Sequence, residues 1–174
     1  MKAKRTKARK STAIAPVDRR LVIADAALRV LAAEGARGLT HRAVDAEAAL
    51  PQGSTSYYFR SRGALVKAAA SRLCELDERD VLDAESVPAL LARWRSPSHR
   101  GRLIARFELF MDATRNAETR ALVRRQRRGF VAIARAALAR SGAKRPDAES
   151  ERLVALVDGL LLSHLLDPRR LGQS

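Results

Sequence analysis

Residues 39–65, from Leu39 to Leu65, read LTHRAVDAEAALPQGSTSYYFRSRGAL, and the order of helix formers and breakers in them decides the fold. Thr40 suits a helix cap, because its hydroxyl accepts one of the amide protons left unpaired at a helix start. Behind it Ala43, Val44, Ala46 and Ala48 gather towards one side, with His41, Arg42, Asp45 and Glu47 largely on the other. That is the pattern of a short amphipathic helix. Pro51 stops this helix and, with its fixed φ and missing N–H, suits the first position of the next. Residues 52–58 then supply one amide, one glycine, three small hydroxyls and two phenols. Only Phe59 and part of the tyrosines can fill a core, so the second helix is expected to face a partner. Small hydroxyls and phenols reach phosphates and base edges without bulk, as a helix lying in a major groove must. The stretch predicts a helix-turn-helix.

The ordered set Gly38-Leu39-Thr40, Val44, Ala48, Gly53-Ser54-Thr55-Ser56-Tyr57-Tyr58-Phe59, Arg62 and Leu65 resembles the DNA-binding domain of the TetR family of transcriptional regulators. The matching region runs from near Val17 to near Ala70, roughly a third of the chain. Three positions depart from the family pattern. Ala49 stands where the turn commonly has glycine, which predicts a turn either slightly strained or differently shaped. Gly63-Ala64 replaces an acidic residue, which weakens the start of the following helix. Ala43, three residues after Thr40, leaves no reciprocal capping box. On this reading Thr40 and Arg62 hold phosphates, with Arg42 and Gly53 beside the DNA. Gln52, Ser54 and Thr55 meet base edges, and Tyr57 and Tyr58 meet phosphates or thymine methyls. The resemblance further implies a homodimer on a palindromic operator and a repressor released by a small-molecule effector.

Working outward, residues 1–16 form a basic arm in which Lys2, Lys4, Arg5, Lys7, Arg9 and Lys10 meet no acid. The arm has no apolar segment of the kind a secretory signal needs. It reads as a disordered segment, either a solubilising tail or an arm that follows the DNA backbone. Residues 17–65 form the DNA-binding domain. Its first helix, Val17 to Glu34, sets Ile23, Ala27, Val30 and Leu31 on one stripe, and Gly35 and Gly38 end it. Arg19 and Arg20 stand near its N-terminus, where the helix dipole disfavours them. Phosphate contact and a solvated face both explain that placement.

Residues 66–174 read as a helical ligand-binding and dimerisation domain. A helix from Arg62 to about Leu82 leads into it, with Leu65, Val66, Ala69, Leu73, Leu76 and Val81 facing inward. A short helical piece holds Leu90, Leu91 and Trp94 and ends at Ser96-Pro97. A further helix from His99 to Arg115 carries Leu103, Phe107, Phe110 and Met111. With Trp94 these four form the main cluster of large side chains, readable as plain core or as the lining of an apolar cavity. Two helices close the chain, Ala117–Arg140 and Asp147–Leu166. The first sets Arg120, Arg124, Arg127, Arg128 and Arg135 against Phe130 and Ile133. The second is apolar nearly all round from Leu153 to Leu166, so it must be buried on every side. Burial within one subunit would satisfy it. So would a dimer interface through Phe130, Ile133, Leu153, Leu160, Leu161 and His164, which the family resemblance favours.

Composition bounds the function. The 174 residues hold one large or two small domains, and 34 Lys and Arg against 19 Asp and Glu give a formal net charge of +15. Such an excess points to a polyanionic partner, nucleic acid or membrane surface. The closing helix is too short and too interrupted to span a bilayer. The only cysteine is Cys74, so no internal disulfide forms and a reducing compartment fits. It reads as a small buried residue or as a redox sensor. His41, His99 and His164 belong to different elements, and no paired-cysteine or HExxH spacing suggests a metal. No glycine-rich phosphate loop and no activated nucleophile is present.

The expectation is an all-α protein, not an enzyme and without cofactor. It is a cytoplasmic, sequence-specific DNA-binding regulator. An effector-independent or architectural DNA-binding protein is the alternative that the heavy charge supports.

Overall fold

The computed structural model describes residues 18–168. Eight α-helices follow one another: α1 (Arg19–Gly38), α2 (His41–Glu47), α3 (Ser54–Tyr58), α4 (Arg62–Asp83), α5 (Val87–Trp94), α6 (Arg100–Arg115), α7 (Ala117–Arg140) and α8 (Pro146–Leu166). One 3-10 turn, Pro97–His99, precedes α6. The fold is all-α among the described residues, and no helix of theirs is long and apolar enough to cross a membrane.

Local chemistry sets most of the helix starts. Asp18, Thr40, Ser61, Ser86 and Asn116 each accept a backbone amide from the first turn of the helix they precede. Thr40 Oγ1 takes the Ala43 amide at 3.1 Å, as its position in the sequence requires. Pro51 behaves otherwise. Pro51 and Gln52 lie in the turn, and α3 begins only at Ser54 behind Gly53. Helix α1 breaks at Gly35, whose φ is 69°, so the regular helix ends at Glu34 as predicted and one further turn follows. The basic arm and Val17 lie outside the described residues.

The first core gathers α1, α2, α4 and α6. Ile23, Ala27, Leu31, Leu39, Val44, Leu65 and Leu73 are fully enclosed there, and Ala105 and Leu109 of α6 close it from below. Each such large side chain withdrawn from water contributes about 1.5–3 kcal/mol. The second core joins α5, α6 and α8 through Leu90, Leu91, Trp94, Leu103 and Leu161. Helix α4 enters both, through Leu65 to Leu73 near its start and Val81 at its end. It physically couples the helix-turn-helix to the rest of the molecule.

Candidate nucleic-acid interface and ligand cavity

One buried carboxylate organises the helix-turn-helix. Asp45 is only 3% exposed. Its Oδ2 accepts the Gly53 amide at 2.8 Å and its Oδ1 the Thr55 amide at 2.7 Å. Burial by itself would raise its pKa, but the hydrogen bonds from Thr55 and Gly53 outweigh it and hold the carboxyl below its usual value. The acid thus stays ionised and receives the start of α3, a segment too short and polar to hold itself in place. The sequence pattern sets Asp45 on the outer face of α2, and the structure corrects this. A helical period cannot separate an exposed acid from one aimed at the next turn.

The outer surface of α3 differs from its predicted one at Thr55. That side chain is fully buried beneath the helix, so it cannot reach a base edge. Ser54 is half-buried with its hydroxyl donating to Pro51 O at 2.6 Å, and the exposed Ser56 likewise donates to Gly53 O at 2.9 Å. Gln52, Gly53, Ser56 and Tyr57 are exposed, Tyr57 by 80%. Tyr58 is half-buried, packed edge-on against Tyr57 at 5.1 Å. Arg20 braces the same helix end, its guanidinium 5.7 Å from the Tyr58 ring and 5.5 Å from the Phe59 ring. His41 meets Phe59 O at 2.6 Å and ties the start of α2 to the loop after α3. Thr40, Arg42, Arg60 and Arg62 are exposed around this surface. Arg62 also donates to Ala36 O at 2.5 Å, which fixes its direction. Ser56 and Arg60 were not singled out from sequence. The exposed side of so short a helix follows from where Thr55 points.

The turn carries the strain that its composition predicts. Ala49 has φ 51°, a left-handed conformation costing an L-residue about 1–2 kcal/mol. The start of α4 is less bare than Gly63-Ala64 suggests. Ser61 caps it, and a Glu118 carboxylate oxygen of α7 lies 3.0 Å from where a Gly63 Cβ would stand. An acid from the far domain stands in for the missing local one.

An apolar cavity opens elsewhere than predicted. A cavity of about 580 Å³ sits between the ends of α4 and α7 and the helices α5 and α8. Val81, Leu90, Trp94, Phe130, Ile133 and Val157 form its main apolar walls. Of the expected lining only Trp94 is there. Leu103 is buried in the second core and Phe107 packs against it. Phe110 stacks edge-on with Phe107 at 5.6 Å, and Met111 is 53% exposed. Helix α6 lies against α1 and α7, so Leu103, Phe107 and Leu109 fill core while the gap opens beside the short α5.

Phe130, Ile133 and Leu153, expected at a dimer interface, line this cavity within the subunit. Leu161 is fully buried in the second core, with Leu160 packed against it. His164 meets Arg95 O at 3.0 Å within the subunit. The exposed large apolar residues of α8 are Leu156, Leu162 and Leu166, with Gly159 between them. In an all-apolar helix every phase looks alike, so periodicity does not tell which side the subunit's own core takes.

Behind the cavity stands a charged cluster. Trp94 Nε1 donates to Asp80 Oδ2 at 2.9 Å, and the Arg106 guanidinium lies 4.4 Å from the indole centre. Arg106 pairs with Asp77 at 2.7 Å, and Arg102 bridges Asp77 and Asp80. Burial would raise the Asp80 carboxyl, yet the Trp94 and Arg102 hydrogen bonds hold it below its usual value. On α7, Arg127 pairs with Asp158, Arg135 with Asp147, and Arg120 with two carbonyls of α6. Cys74 is half-buried, and burial pushes its thiol up to about 11. That argues against a ready thiolate. Among the described residues no group of three or more His, Cys, Asp or Glu is placed to hold a metal ion.

These features define a helix-turn-helix regulator with a second helical unit behind it, and comparisons give the family. Residues 23–69 match the profile described as bacterial regulatory proteins, tetR family. Residues 61–173 match the Tetracyclin repressor-like, C-terminal domain. A transcriptional regulator from Rhodococcus sp. Rha1 superposes with a TM-score of 0.78 at 18% identity, over 87% of this chain and 86% of that one. A TetR-family member from Streptomyces coelicolor A3 reaches 0.72 at 31% identity, over 87% and 90%. The multidrug binding protein EbrR, complexed with imidazole, reaches 0.67 at 32% identity, over 87% and 86%. No curated protein matches by sequence. The chain belongs to the TetR family of DNA-binding transcriptional regulators. Members of this family are transcription factors rather than enzymes.

Proposed function

We propose that this protein is a homodimeric cytoplasmic repressor that leaves its palindromic operator when a small molecule fills the cavity beside α5. The observation that carries this reading is Trp94. Its ring is a wall of the cavity, and its Nε1 holds Asp80 on α4. The opposite end of α4 packs in the same core as α1 and α2. A ligand that moves the indole therefore acts on the helix that carries the reading head.

Each subunit lays the exposed face of α3 in one major groove, with Gln52, Ser56 and Tyr57 towards the bases. Thr40, Arg42, Arg60 and Arg62 take the backbone. Leu156, Gly159, Leu162 and Leu166 of α8, with the exposed Gly129 and Ala132 of α7, form the two-fold seam. Ligand favours a dimer whose heads no longer match the groove spacing, a shift of populations between two states. EbrR, a structural relative, is described in complex with ethidium, malachite green and proflavin, which supports a small-molecule effector here.

Selection from a random DNA pool, followed by fluorescence anisotropy on the winning duplex, tests the proposal. The expected result is a two-fold symmetric sequence bound by two protomers and released by cavity ligands. A sequence-indifferent affinity that vanishes with salt would instead make the protein architectural.

A further inference from the structure

We infer that the cavity takes an uncharged, predominantly apolar small molecule and discriminates against both cations and anions. This rests on the regulatory reading above and names the ligand class of the same site. The cavity's volume of about 580 Å³ lies within the usual range for ligand sites, about 300–1,000 Å³. Among the described residues only two charged ones line it, Glu85 and Arg140, and both are exposed. Their charges stay in water.

The charges behind the wall are already engaged. Asp80 holds Trp94 and Arg102, while Arg106 is paired with Asp77 and lies against the indole. The two lining serines spend their hydroxyls locally. Ser86 caps α5 by accepting the Ala89 amide, and Ser141 donates to Leu138 O. Leu82 and Val87 are exposed apolar residues of the same lining. A charged guest would give up its hydration and find no partner inside, a loss that apolar contact does not repay. A neutral guest loses little water and meets Ile133, Phe130 and Val157.

Trp94 is the chain's only tryptophan, so its emission reports the cavity directly. The probes are N-phenyl-1-naphthylamine, its sulfonate 8-anilino-1-naphthalenesulfonate, and ethidium. The first two share one ring system and differ in a single negative charge. Titrations use the full chain at about 0.3 M salt, where surface attraction to its positive charge is screened. The neutral amine should quench Trp94 and bind at least about tenfold tighter than its sulfonate, and ethidium should displace it weakly. Ala134→Phe and Ala137→Phe, which fill the cavity from α7, should abolish the quenching. Circular dichroism confirms that each variant is helical.

If the sulfonate or ethidium binds as tightly as the amine and both filled variants block it, the ligand class is wrong while the cavity stands. If the amine binds unchanged in both filled variants, the cavity is not the site, and the regulatory reading falls with it. No saturable binding of any probe overturns both.

Discussion

The carboxylate of Asp45 and the buried side of Thr55 form the joint on which the reading helix is mounted. Both residues are shut off from water, and the Thr55 amide donates to Asp45 Oδ1 at 2.7 Å. Asp45→Ala leaves the Gly53 and Thr55 amides without their acceptor. Unpaired amides cost about 1–3 kcal/mol each, so chemical denaturation should show a loss of roughly 2–4 kcal/mol. Asp45→Asn should also destabilise, because its amide nitrogen faces one of the two donors. The pH dependence follows from the lowered pKa of Asp45. Its contribution is complete above the unfolded value, about 3.9, and disappears as pH falls through the folded value. Melting scans below pH 5 should therefore show a smaller acid loss in the Asn variant. Equal acid losses would place the sensitivity elsewhere.

Ala49 offers the opposite change. It is exposed and left-handed, with φ 51°. Glycine removes a strain of about 1–2 kcal/mol and adds an unfolded-state entropy cost of about 0.5–1 kcal/mol. Ala49→Gly should raise stability by about 0.5–1 kcal/mol in urea titration, with operator affinity unchanged. A destabilised variant would mean the turn is shaped by contacts and not by backbone preference.

The dimer prediction moves to the face that is exposed. Leu156→Asp with Leu162→Asp places charges at side chains 58% and 43% exposed in the subunit, so the subunit still folds. In a dimer those charges are desolvated, and association should fail. Sedimentation at micromolar concentration should give helical monomers. Changing Leu161, which is fully buried, should unfold the chain instead. A double variant that remains dimeric would move the seam off α8.

Charge and sequence reading separate by salt. Each phosphate contact steepens the fall of log affinity with log salt by about 0.9. If two or three arm cations touch backbone in each subunit, deleting residues 1–10 flattens the slope by roughly four to five units. The ranking of operator variants should hold. Tyr57→Ala should do the reverse, with little change in slope and a loss on the order of 1–3 kcal/mol of discrimination at one position per half-site. An arm deletion that reorders the ranking would make the arm a reader of the minor groove.

What the sequence made legible was whatever depends on local chemistry. The cap at Thr40, the break at Gly35 and the strained Ala49 follow from single residues and their neighbours. The apolar stripe of α1 followed from its period. The failures share one cause. Pro51 permits a helix start but does not compel one. Thr55 and Asp45 are polar residues buried against each other, and no pattern of polarity reveals that pairing. The phase of α8 and the lining of the cavity depend on which helices α6 and α8 meet. In segments apolar on several sides, composition leaves that open.

Helix α4 has 22 residues, a length of about 33 Å at 1.5 Å per residue. On the proposed reading, α4 would act as a lever held near its Asp80 end. A rotation of about 5° there carries the far end of such a rod about 3 Å. Two subunits tilting oppositely change the span between reading heads by about twice that, when successive half-site grooves are about 34 Å apart. On the proposed reading, a small displacement at Trp94 would be magnified into a misfit on the scale of a base pair. If the cavity takes the effector, it can be small and still govern the DNA, because the helix between them is long.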